Sequence, residues 1–172
     1  LGGGAVVFIQ SGTGSVERTA QDKLREVVSV LDFGADPTGV GDSYAAIQQA
    51  VDALGSDGDL IFPAGTYTLT APVTFASLSN LRLIGYGATI TATTRFTSFF
   101  AFTACSNARI EGFIFDQGMD HLATYTSGDY PTLYNVAVHC TAACNGVTVE
   151  NCSFTQLYTV SVYFKESSSL RV

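Results

Sequence analysis

The sequence predicts a mainly β solenoid, entered through a neck helix and closed at its first rung by a second, capping helix. Three observations predict it. From Asp59 onward, runs of four to seven residues alternate apolar and polar with the strand period, punctuated by Gly, Asn, Ser and Thr. Within that region the segments 80–90, 107–117 and 146–156 superpose as an internal repeat. Directly before it stands an amphipathic helical pattern able to cover one open end of a stack of coils.

Composition bounds the possibilities. The chain's 172 residues are 47% hydrophobic and 13% charged, enough apolar surface for one core and too little charge for a disordered or coiled-coil chain. A net charge of −7 excludes capture of nucleic acid or of an anionic membrane by a basic surface. No run approaches the ~20 apolar residues of a membrane-spanning helix, so no membrane insertion is expected. Cys105, Cys140, Cys144 and Cys152 form no CxxC pair and stand beside no close His pair, so no metal site is expected. Cys105 and Cys152 read as buried reduced thiols, and a Cys140–Cys144 disulfide stays open. No P-loop, dinucleotide fingerprint or Ser/His/Asp constellation is present, and no cofactor is expected.

Taken in order, residues 1–14 are Gly-rich around one apolar run, Ala5 to Ile9, and read as a short strand and linker. They carry neither the basic region nor the cleavage site of a signal peptide. The pattern of 15–28 predicts a helix, with Ser15 as N-cap, Glu17 in the first turn, and Val16, Ala20, Leu24 and Val27 on one narrow stripe. So narrow a stripe suits a neck where equivalent helices of several chains meet around an axis; the alternative is one surface helix packed on its own domain. A short strand and a turn-rich loop, VSVLDFGADPTGVG, lead to a second helix over 43–54. Asp42 or Ser43 caps it, Gly55 stops it, and Tyr44, Ile47, Ala50, Val51 and Leu54 form its apolar face. Residues 1–28 thus read as linker and neck, and 29–172 as cap and coils.

The repeat sets Leu81, Ala108, Val147 and Leu170 in one register, at spacings of 27, 39 and 23 residues. Ile110 then matches Val149, Glu111 matches Glu150, and Phe115 matches Phe154. Gly85, Gly112 and Asn151 share a turn position suited to left-handed backbone. Two spacings are those of a solenoid coil; the third is a coil plus an insertion, 118–133. A single coil cannot bury its apolar face, so stacked coils share one core, and the second helix covers the rung that would otherwise stay open.

Particular residues here resemble a known family. Asp32-Phe33-Gly34-Ala35, Ala46-Ile47-Gln48, Pro63-Ala64-Gly65-Thr66-Tyr67 and Ile84-Gly85-Tyr86-Gly87 are similar to the opening of the pectate-lyase-like β-helix superfamily, which includes polygalacturonases and phage tailspikes. The loop DPTGVGDS departs from the family pattern, which is richer in Asp and lacks this Pro. The resemblance covers about 27–172 and implies a right-handed parallel β-helix. The preceding RTAQDKLRE resembles the segment joining the virion-binding region of phage tailspikes and tail fibres to their β-helix. It implies a homotrimer in the phage tail, assembled in the host cytoplasm, with host surface polysaccharide and other phage tail proteins as partners. The full-length form would then be a capsule or lipopolysaccharide depolymerase, this fragment not by itself. Leu1 in place of an initiator Met, and an end at SSSLRV within a strand pattern, read as cut ends.

Insertions in a solenoid often build its binding site. Around this one stand Asp116, Asp120, His121, Tyr125, Asp129 and Tyr130, carboxylates and aromatics of the kind that hold sugars. Paired carboxylates ~5–9 Å apart could hydrolyse a glycosidic bond, and His121 could act as general base, but no residue is assigned a catalytic role. The bland reading is a polar surface loop or an intersubunit contact. Glu111 and Glu150, in phase on adjacent coils, could bind a cation or raise each other's pKa; more often such carboxylates pair with a neighbour, here Arg109. Two further functions are set against the depolymerase: a structural stem of a tail fibre without activity, and a free polygalacturonase or pectate-lyase-type enzyme.

Overall fold

The computed structural model describes residues 6–94, 96–116, 136–141, 143–155, 161–165 and 168–171. The first of these form an antiparallel hairpin, β1 (Val7–Ile9) and β2 (Glu17–Thr19), followed by a short helix, α1 (Ala20–Leu24). The helix expected over 15–28 is therefore reduced to five residues. Thr19, not Ser15, caps it, its Oγ1 accepting from the Asp22 amide at 3.0 Å. Glu17–Thr19 pair with β1 instead, and the β-branched Val27 and Val28 enter the first rung as β3 (Val27–Ser29). A narrow stripe with no surface of its own chain to cover does not repay the cost of a longer helix. Val16 precedes β2, Ala20 and Leu24 begin and end α1, and Val27 opens β3, so the four do not share one helix face. Val16 and Leu24 are 71% and 76% exposed.

After β3 come a turn of 3-10 helix (Val30–Phe33), β4 (Thr38–Asp42) and α2 (Tyr44–Leu54). The coils follow: β5 (Gly58–Ile61), β6 (Gly65–Leu69), β7 (Val73–Ala76), β8 (Leu81–Ile84), β9 (Ala88–Ala92), β10 (Ser98–Thr103), β11 (Arg109–Glu111), β12 (Ile114–Asp116), β13 (Val136–Thr141), β14 (Asn145–Glu150), β15 (Ser153–Thr155), β16 (Val162–Phe164) and β17 (Ser168–Arg171). They stack as three parallel sheets. The first runs β3-β5-β8-β11-β14-β17, the second β4-β6-β9-β12-β15, and the third β7-β10-β13-β16. The predicted register holds in the first sheet, where Ile110 lies between Leu83 and Val149 and Val147 beside Leu170, and for Phe115 against Phe154. Against the preceding coil the second sheet is shifted by two, Phe115 meeting Ile90 where the repeat set Ala88, because the turn 85–87 is longer than the turn 112–113.

Two turn positions carry the stacking. At the corner that enters the first sheet, from α2 in the first coil and from the third sheet in the later ones, Asp57, Asn80, Asn107 and Gly146 all adopt left-handed backbone. Asn107 Nδ2 donates to Asn80 Oδ1 at 2.7 Å, and Asn80 Nδ2 to Asp57 Oδ1 at 2.5 Å, a ladder up the solenoid. At the corner from the first sheet to the second, Gly112 and Asn151 are left-handed as expected, but Gly85 is not; Gly87 takes that role in its coil. Gly85 is required for a different reason, since a Cβ there would stand 2.4 Å from the Phe113 ring.

The interior is a column of aromatics. Phe75 and Phe102 stack at 4.5 Å, and Phe115 stacks on Phe154 at 5.7 Å. Cys105, Cys140 and Cys144 are buried and Cys152 half-buried, all as free thiols, and burial pushes Cys105, Cys140 and Cys152 above their ordinary range.

The cap is α2, with Ile47, Ala50 and Val51 buried on the first rung. Asp42 supplies the cap bond, its Oδ1 accepting from the Tyr44 amide at 3.0 Å, while the Ser43 hydroxyl accepts from the Asp36 amide. Gln48 does more than face the core edge. Its Oε1 accepts from the Thr74 amide at 2.9 Å and its Nε2 donates to the Thr74 carbonyl at 3.1 Å, so one side-chain amide stands where a neighbouring strand would pair with β7. Gln48→Ala is expected to cost about 1–3 kcal/mol by leaving both edge groups without a protein partner, read as a shift in the urea midpoint at constant slope.

Candidate functional site

The corner from the second sheet to the third carries the insertion. Two coils cross it with 70–72 and 93–97, whereas the next crosses it with 117–135. Asp116, the last residue of β12, is half-buried on the outward face of the second sheet, between Thr91 and Thr155 in register. Thr68 extends that row, and a second outward row holds Thr66, Thr89, Ile114 and Ser153. Hydroxyls therefore dominate the floor beside the insertion, with one carboxylate at its root. Asp120, His121, Tyr125, Asp129 and Tyr130 lie outside the described residues, so Asp116 is the one member of the predicted set that is placed.

Beyond the corner, β13 carries His139 on the outward face of the third sheet, in register with Ala101 and Tyr163. The His139 and Tyr163 rings lie 5.2 Å apart. Burial holds the imidazole below its ordinary pKa, which favours its neutral form. Beside them the Thr103 and Thr141 hydroxyls are 2.9 Å apart. Tyr163 escaped the sequence reading; its separation from His139, about one coil, was the signal available.

The paired glutamates sit elsewhere, on the outward face of the first sheet. Glu111 is 2% exposed, and its Oε1 accepts from Arg82 Nε at 2.9 Å and Nη2 at 2.8 Å. Its Oε2 meets Arg109 Nε at 3.0 Å, and Arg109 also pairs with Glu150. Arg82 reaches Asp59 at 3.6 Å. Burial by itself would raise the Glu111 carboxyl, but the Arg82 and Arg109 guanidiniums hold it below the usual range. The carboxylates are thus interleaved with arginines, as expected for Arg109; Arg82, which aligns with Arg109 in the repeat, was the partner overlooked.

Comparison with known proteins bears on the whole arrangement. The family model of rhamnogalacturonase A/epimerase, pectate lyase-like proteins matches residues 27–166. The tail spike protein of Shigella phage Sf6 is 40% identical over 78 residues, 41% of this chain and 12% of that protein. Alpha-1,3-galactosidase A of Peterkaempfera griseoplana is 48% identical over 46 residues, 25% of this chain and 6% of that protein. The chain thus spans a small part of the length of the curated relatives it matches. Among solved structures, the tailspike protein of E. coli bacteriophage HK620, in complex with a pentasaccharide, aligns with a TM-score of 0.62 at 20% identity, over 94% of this chain and 37% of that one. That likeness is one of fold, and it agrees with the tailspike-type β-helix expected from the sequence. Three parallel sheets wound from matching coils, and a family match running from the first rung almost to the last residue, lead to one conclusion: the chain belongs to the rhamnogalacturonase A/epimerase, pectate lyase-like family.

Proposed function

We propose that the chain is part of a phage tail spike or fibre that attaches the virion to host surface polysaccharide, and that the full-length protein depolymerises that polysaccharide. Glycan contact is made at the insertion corner, by Asp116 and the residues of the insertion, beside the outward hydroxyl rows of the second sheet. The observation that carries this reading is the insertion itself: one long crossing on a corner that neighbouring coils turn with a few residues. Residues 1–28 serve as the virion-proximal linker and neck. The exposure of Val16, Leu24 and Val27 supports a homotrimer, because three apolar side chains in water on one short segment gain by meeting their copies.

A second reading, a stem without activity, is favoured by one observation. The register neighbours of Asp116 are Thr91 and Thr155, and neither is a second carboxylate of the kind glycoside hydrolysis uses. Digestion of purified host capsule and lipopolysaccharide separates the two, with the full-length protein and this chain assayed side by side. Release of oligosaccharide by the full-length protein alone is the expected result, and makes this part its stem and docking segment. Release by this chain too would move catalysis to the insertion corner, and release by neither would leave an adhesive or structural tail part.

A further inference from the structure

We propose that the outward face of the first sheet, at its corner with the second, is a separate binding surface for a neutral, hydroxyl-rich glycan chain. The inference takes only the ligand class, polysaccharide, from the function proposed above; the surface is argued independently. Its base is Glu111, nearly fully buried, which holds the Arg82 and Arg109 side chains in register, one coil apart. Each guanidinium has five N–H donors, more than its carboxylate partners consume, and about half of each arginine side chain remains in water, at 47% and 52%. The arrangement is preorganised, so a bound hydroxyl need not first order the groups that receive it.

Tyr86 provides the apolar component. It is 59% exposed, yet its ring lies against the backbone of Gly112, where a Cβ would come within 2.7 Å of it. Glycine at 112 therefore does two things: it accepts a left-handed turn and lets an aromatic ring lie over the chain. Gly112 directly follows Glu111, whose carboxylate holds the Arg82 guanidinium, so ring and polar row meet at one corner. A flat aromatic face beside fixed planar polar groups suits a pyranose, whose C–H face stacks while its hydroxyls bond at the edge. Stacked strands repeat every ~4.8 Å, so a glycan laid along the solenoid axis meets an arginine on successive coils.

The charge count selects the ligand. Asp59, Glu111 and Glu150 set three carboxylates against two guanidiniums, on a chain of net charge −7. An acidic polysaccharide gains nothing from that field, whereas neutral hydroxyls use the spare donors.

The test is an array of bacterial surface glycans, neutral and acidic, probed with the unaltered chain, with Tyr86→Ala, with Tyr86→Phe, and with a variant in which a short Gly-Ser link replaces 118–133. Circular dichroism of each variant confirms the fold, which an exposed side chain does not sustain. Binding to neutral glycans that falls about tenfold in Tyr86→Ala, survives in Tyr86→Phe and survives shortening of the insertion is the expected result. Binding only to acidic glycans, binding unchanged in Tyr86→Ala, or no binding overturns the proposal. Loss confined to the shortened variant overturns it while leaving the insertion corner as the glycan site. Loss confined to Tyr86→Ala does the reverse.

Discussion

Phe115→Ala is expected to cost about 3–5 kcal/mol, the range for emptying a large aromatic site in a core that cannot close around it. Phe115 is fully buried and packs against four rings, Phe99, Phe100, Phe113 and Phe154, at centroid distances of 5.5 to 6.1 Å. Phe99, Phe100 and Phe154 sit on strands paired with neighbouring coils and Phe113 in the tight turn between β11 and β12, so the rings cannot move inward one at a time. The cavity stays open, and its lining loses dispersion contacts outright. Because Asp116 is the next residue and the insertion leaves directly after it, the same substitution should loosen the root of the proposed glycan corner. Urea unfolding reads the stability; a loss under about 1 kcal/mol would show that the coils slide to fill the space, and would overturn the view of a rigid stack.

Glu111→Gln is expected to cost about 2–3 kcal/mol near neutral pH, since it removes the charge that two guanidiniums share. Those arginines are half in water, so their stranded charges are partly resolvated and the cost falls below that of a fully buried pair. The pH dependence has a definite sign. The folded-state pKa of Glu111 is lowered, by Arg82 and then Arg109 against the opposing effect of burial. Its contribution is therefore complete above the unfolded glutamate value of ~4.3 and is lost as pH falls through the lower folded value. The stability gap between the native chain and Glu111→Gln should be constant from pH 7 to about 5 and shrink below the ordinary glutamate range. A gap that widens in acid would mean that Glu111 is protonated in the fold and that the arginines do not set its charge.

The register of the coils was legible because stacking demands it. A solenoid brings equivalent residues of successive turns side by side, so Leu83, Ile110 and Val149 had to be apolar together, and the repeat recorded this across the insertion. The cap was legible for the same reason, since Ile47, Ala50 and Val51 on one helical face need an open core end to cover. The extent of the neck helix was misread because propensity and a one-sided stripe look alike whether a segment stays helical or pairs locally. Only the presence of β1 as a partner for Glu17–Thr19, and of the first rung as a partner for Val27, decided it.

The candidate sites divide along the same line. Asp116 could be found at the root of an insertion by counting along the chain, because loop length is a one-dimensional property. Arg82, Tyr163 and Tyr86 gain their meaning from neighbours 29, 24 and 26 residues away in Glu111, His139 and Gly112. By itself the sequence determined the winding, the shared core and its cover, all consequences of where apolar side chains recur. The tertiary structure alone decided which charges meet, why Gly85 admits no side chain, and how one glutamine completes a sheet edge, because these depend on which coil lies against which.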